Sequence, residues 1–213
     1  MNRTRLIMAS VLAALVSGCG FVDSVRWANV DDRSPLSNPT HQQNLLAAPD
    51  DIQHRSFDVT RVIVSVPRSL KVSESNRFYP PGDIVWRGDP AGDRHEQVKA
   101  IFDAAIGQGV ASMTDGVPVD LYIEVQRFHS LTERARYSIG GVHSITFILS
   151  LKEANTGVLL ETPRQVKANL NALGGKRAID ADRKGQTQKA RITAHLAAVI
   201  QSELKALNGK DHS

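Results

Sequence analysis

The chain has 213 residues, 41% of them hydrophobic, and a formal net charge of +4, enough for one well-cored domain and a tether. Its one cysteine, Cys19, excludes intrachain disulfides and C-x-x-C redox or zinc chemistry. The P-loop, Rossmann-glycine, G-x-S-x-G and H-E-x-x-H signatures are absent, so no nucleotide-dependent or hydrolytic class announces itself.

Arg3 and Arg5 precede an apolar run over residues 6–16 that has the charge, length and flanks of a secretory signal and is too short to cross a bilayer. The segment Leu15-Val16-Ser17-Gly18-Cys19-Gly20 resembles the lipobox of bacterial lipoproteins. That resemblance implies a signal peptide over residues 1–18, cleavage after Gly18 and acyl chains, palmitate among them, on Cys19. Three chains at about 0.8 kcal/mol per buried methylene exceed the affinity of a single reversible anchor. Gly20 in place of an acidic residue implies sorting to the outer membrane, facing the periplasm, rather than retention at the inner membrane. Removal of Arg3 and Arg5 lowers the net charge to +2.

Residues 19–56 are polar, carry Pro35, Pro39 and Pro49, and lack helical or alternating periodicity, so they read as a lipid-anchored tether with a flexible reach of about 35 Å. Phe21, Val22, Val25 and Trp27 interrupt that polarity and suit a partner, the lipid interface or the chain's own domain.

A single domain is expected over residues 57–213. Residues 59–66 are β-branched and stop at Pro67, a strand pattern, and residues 83–87 suit a brief strand after a long irregular stretch. Asp93 with Glu96 forms a capping-box pair, and Val98, Ile101, Phe102, Ala105, Gly109 and Met113 recur at helical spacing, with Asp115-Gly116 as the stop. Val119, Leu121, Ile123 and Val125 alternate with polar residues, as do Ile145, Phe147, Leu149 and Leu151. A hairpin centred on Arg136 sets Val125 opposite Phe147, Ile123 opposite Leu149 and Leu121 opposite Leu151, with every apolar pair on one face. Residues 154–157 read as a tight turn into a third strand over 158–168, which Pro163 marks as an edge or bulge. After a loop over 174–185, Ile192, Leu196, Val199, Ile200, Leu204 and Leu207 define an amphipathic helix with Gly209 beyond it. The order β-α-β-β-β-α predicts an α+β fold, a small mixed sheet of about four strands with two helices on one face.

The same hairpin register sets His129 opposite His143, with Glu133, Arg134, Arg136 and Tyr137 in the connection. Two imidazoles and a carboxylate suit metal binding, or general-base chemistry with Glu133 orienting a histidine. No nucleophile or third ligand accompanies them, and imidazoles at a sheet end are commonly satisfied by backbone or hydroxyl groups. Phe78, Tyr79 and Trp86 lie on a loop stiffened by Pro80-Pro81 and, with Arg136 and Tyr137, are candidate partner anchors; alternatively Trp86 and Phe78 fold inward and cap the sheet. Between positions 127 and 191 twelve Lys or Arg face five Asp or Glu, and Lys176, Arg177, Arg183 and Lys184 are candidate anion contacts. Nucleic acid is not an expected partner, because no aromatic residues interleave with these charges and the address is the envelope.

The segments Asp83-Ile84-Val85-Trp86-Arg87, Phe128-His129, Thr132-Glu133, Arg136-Tyr137, Gly140-Gly141-Val142-His143 and Gly185-Gln186-Thr187-Gln188 resemble an uncharacterised family of small alphaproteobacterial lipoproteins, a domain of unknown function. The resemblance runs from Val59 onward and implies an envelope address without an activity. The expectation is a non-enzymatic accessory or binding protein in envelope assembly or lipid transport, held to the membrane through Cys19 and meeting an envelope protein, with no cofactor and no metal. A second reading makes His129, Glu133 and His143 a metal-binding or hydrolytic site. A third makes the basic 174–191 segment an anionic-lipid-binding module.

Overall fold

The computed structural model describes residues 56–208; the expected signal peptide and lipobox, the expected tether up to residue 55, and Gly209 lie outside them. The described chain forms β1 (Phe57–Ser65), β2 (Ile84–Val85), α1 (Arg94–Gly109), β3 (Val117–His129), α2 (Glu133–Arg136), β4 (Gly141–Glu153), β5 (Arg164–Lys167), β6 (Leu170–Ala172), α3 (Lys176–Arg183) and α4 (Gln188–Asn208). The fold is α+β. Six strands occupy four columns, because β1 and β2 follow one another along β3, and β5 and β6 follow one another along β4. β1 and β3 run parallel and need a crossover, which contains α1; β3 and β4 form the antiparallel hairpin.

That hairpin has the expected register over its central part: Leu121 faces Leu151, Ile123 faces Leu149 and Val125 faces Phe147. All six side chains are buried, beneath α1 residues Val98, Ile101, Phe102 and Ala105 and α4 residues Ile192, Leu196, Ile200 and Leu204. Phe102 stands edge-on to both Phe147 and Phe128, at centroid distances of 5.5 and 6.3 Å. The opposite sheet face carries Tyr122, Glu124, Ile148, Ser150 and Lys152 along a shallow cavity of about 340 Å³.

Asp93 caps α1 by accepting hydrogen bonds from the amides of His95 and Glu96. The Glu96 carboxylate meets Arg68. The helix ends at Gly109, short of the Asp115-Gly116 stop. Gly109 lies so close to α4 that a Cβ there would stand 2.7 Å from the Ala197 carbonyl oxygen. Met113 lies beyond the helix, and its carbonyl accepts from the Val59 amide. The expected third strand is broken: residues 158–163 add only a Leu159 bridge to Lys152, and pairing resumes after Pro163 at β5. Two short helices, α2 and α3, replace expected loops.

A candidate binding site at the end of the sheet

Three chain segments converge where β3 ends. Parallel pairing of Ile84 and Val85 with Phe128 and His129 brings Trp86 and Arg87 there. Thr132 starts α2: its Oγ1 accepts from the Ala135 amide and donates to the Arg77 carbonyl at 2.8 Å. Thr187 caps α4 by accepting from the Ala190 amide at 3.1 Å. Between them lies a cavity of about 260 Å³, lined by Arg87, Glu133, Arg136, Tyr137, Gln188 and Lys189 among others.

The charges of this cavity are paired within it. Arg87 donates to Glu133, and Arg136 donates to Asp182 and, at 3.2 Å, to Gln188. Lys189 donates to Asp89 at 2.9 Å, whose carboxylate also accepts from the Trp86 indole at 2.8 Å. Burial works against the Glu133 charge, but hydrogen bonds from Arg87 and from its own amide, with the Arg87 and Arg94 charges, hold its carboxyl below the usual glutamate range. Glu74 is held low in the same way, first by its hydrogen bond from Arg94. The network ties the 74–89 loop to α1, α2 and α4, so the end of the sheet is cross-linked by polar contacts.

The structure separates the two histidines. A β-bulge at Gln126 shifts the pairing by one residue, so that His129 faces Ser144 and not His143. One slipped residue also reverses the face of the sheet. His129 bonds the Pro80 carbonyl at 3.0 Å, whereas His143 is buried on the helix-covered side, with Nδ1 2.9 Å from the Ser130 hydroxyl. Burial first, then the charges of Arg191, Arg136 and His195, push His143 down to about 3. A serine beside an imidazole resembles a nucleophile and its base, but both groups are buried, no carboxylate orients Nε2, and the base is too weak to take a proton at neutral pH. Glu133 is engaged by Arg87, so His129, Glu133 and His143 do not form one site. Among the described residues no group of three or more His, Cys, Asp or Glu is placed to hold a metal ion.

Of the partner anchors, Trp86 is fully buried, packed edge-on against Phe128 at 5.6 Å, and belongs to the core. Phe78 is half-buried against Leu131, Ala135 and Ala172, under the Arg134 guanidinium at 4.7 Å. Arg136 is buried in its ion pair. Tyr79 and Tyr137 remain open, 84% and 54% exposed. Lys176, Arg177, Arg183 and Lys184 are exposed, on and just after α3 rather than on a loop.

Sequence reasoning missed Ile139 and Val142, which are 64% and 48% exposed beside Tyr137. Their signal was apolar residues set around Gly140-Gly141, Ile139 before β4 and Val142 within it, alternating with buried His143. This turn is clamped: Gly140 adopts φ +74°, and a Cβ on Gly174 would stand 2.1 Å from the Gly140 nitrogen. Arg87, Asp182 and Lys189 were also not picked out as site residues.

Residues 57–213 match the profile of DUF6778, a family of unknown function. The chain belongs to that family. No curated protein matches it. Among solved structures, the DUF6778 chain is similar to a Caulobacter crescentus protein described as a candidate lipoprotein, at 18% identity and TM-score 0.33 over 52% of this chain and 83% of that one. It is also similar to a Xanthomonas campestris protein of the family DUF330, at 13% identity and TM-score 0.39 over 72% and 88%. Four of the segments that carry the sequence resemblance line the cavity described above, through Arg87, Glu133, Arg136 with Tyr137, and Thr187 with Gln188.

Proposed function

We propose that this chain is a lipoprotein of the cell envelope, acylated on Cys19 and facing the periplasm from the outer membrane. Residues 57–213 are a non-enzymatic binding domain in envelope assembly or lipid transport. Its working surface is the end of the domain built by α2, the 137–140 turn with the start of β4, α3 and the neighbouring 74–89 loop. The observation that carries this reading is the set of solvent-facing apolar side chains there, Tyr79, Tyr137, Ile139 and Val142, on backbone clamped by glycine contacts and ion pairs. Large exposed side chains on a rigid support lose little entropy on binding. The six-residue segment Leu15 to Gly20 supports the anchor.

Labelling of the full chain with a fatty-acid analogue, followed by membrane fractionation, tests the address. Label in outer-membrane fractions, absent from Cys19→Ser, is expected; unlabelled protein or inner-membrane recovery contradicts it. Crosslinking in native membranes tests the surface. A recurrent adduct should be lost in Ile139→Asp, and its persistence there would move the working surface elsewhere.

A further inference from the structure

We propose that the α2–α3 end docks on an anionic lipid surface, with Tyr137, Ile139 and Val142 entering the headgroup region and the α3 cations meeting lipid phosphates. This rests on the reading of that end as the working surface and names what it meets.

The apolar residues do not stand alone. A Cβ on Gly175, the residue before α3, would lie 3.0 Å from the Ser138 carbonyl oxygen, so the start of α3 adjoins the 137–139 turn. Ile179, one turn on from Gly175, is 38% exposed. Lys176, three residues before Ile179, lies beside it; Arg177 stands on the other flank of buried Ala178, and Lys184 follows the helix. Both acidic residues of α3 are engaged, Asp182 with Arg136 and Asp180 with Arg183. Lys176, Arg177 and Lys184 are ion-paired to no carboxylate among the described residues.

Lysine and arginine directly beside solvent-facing apolar side chains match the layering of a membrane interface, in which apolar groups enter the acyl boundary and cations stay with the phosphates. A protein interface has a core depleted in lysine with charges kept to its rim, which this mixed surface does not provide. The far end of the sheet also exposes Val158 and Leu159, and carries Lys152, but it is richer in carboxylates. Asp58, Asp115 and Glu153 lie there, where β1 and β3 begin and β4 ends. An anionic surface therefore attracts the α2–α3 end and repels the other.

The chain's one cysteine is Cys19, so Tyr137→Cys in the lipidated full chain provides a single free thiol for an environment-sensitive fluorophore. Val158→Cys, 59% exposed on the 154–158 turn at the far end, is the control position. The labelled proteins are reconstituted in phosphatidylglycerol vesicles and in phosphatidylcholine vesicles. The expected result is a blue shift and quenching by spin-labelled lipid at position 137 in phosphatidylglycerol alone, with none at 158. High salt, at a Debye length of about 3 Å, should reverse it. Replacing Lys176, Arg177 and Lys184 by Gln should weaken insertion at least about tenfold at low salt. An aqueous signal at 137 in phosphatidylglycerol overturns the proposal, as does equal insertion in both vesicles or insertion indifferent to the three charges. If position 137 stays aqueous while Ile139→Asp still abolishes a protein adduct in native membranes, the surface stands and its partner is a protein.

Discussion

The layer between the sheet and helices α1 and α4 is closed by shape, whereas the α2–α3 end is closed by charge. In the first, Leu121, Ile123, Phe147 and Leu149 meet Phe102, Leu196 and Ile200 with their side chains removed from water. In the second, only Leu131, Ala135 and Ala172 with Phe78 form a small apolar cluster, and Arg87, Arg136 and Lys189 are matched to carboxylates. The apolar layer satisfies itself and leaves nothing to offer. The charged end keeps Ile139, Tyr137, Val142 and the cations Lys176, Arg177 and Lys184 exposed, which is the physical basis for placing recognition there.

Several substitutions break or sharpen that contrast. Trp86→Ala removes a fully buried ring and should cost about 3–5 kcal/mol, lowering the melting temperature by about 10 °C. A neutral result would place Trp86 outside the core after all. Gly174→Ala sets a Cβ 2.1 Å from the Gly140 nitrogen and should cost about 1–3 kcal/mol in chemical denaturation, while loosening the 137–142 turn in hydrogen exchange.

Acid should act through the buried histidine. The folded imidazole takes its proton near 3 and the unfolded one near 6.5, so the unfolded state binds more protons between these values and stability falls as pH is lowered through that window. The loss is at most about 1.4 kcal/mol per pH unit, and His143→Leu should flatten it in denaturant titrations across that range. The carboxylates give a smaller effect. Stability from Glu74 and Glu133 is complete above the unfolded value of 4.5 and is lost as pH falls through their lower folded values. Both side chains are more than a third exposed, so Arg87→Met should cost less than about 1 kcal/mol and weaken that acid dependence. Ile139→Asp should leave stability within about 0.5 kcal/mol while removing binding.

The fold was legible where one period governs a segment. Alternation in β3 and β4 gave the face and register, and the stripe through Ile192, Leu196 and Ile200 gave α4. The histidine site was not legible, because a single bulge at Gln126 leaves no trace in the apolar pattern before it and reassigns every pairing after it. Met113 fitted the α1 spacing, but the helix ends at Gly109 and the Met113 carbonyl instead accepts from the Val59 amide, a long-range contact with no local signature. α3 was hidden for a related reason: with Ala178 its one buried residue, it carries no apolar stripe. Trp86 shows the converse, an aromatic on an irregular loop whose burial depends on Phe128, distant in sequence.

The most direct test of the account is a photo-crosslinking side chain placed at Ile139, at Val158 and at Tyr122 of the full chain in living cells, read by mass as lipid or protein adducts. Adducts are expected from position 139 and from neither of the others. Adducts from Val158 at the far end, or from Tyr122 on the open sheet face, with none from 139, would contradict it.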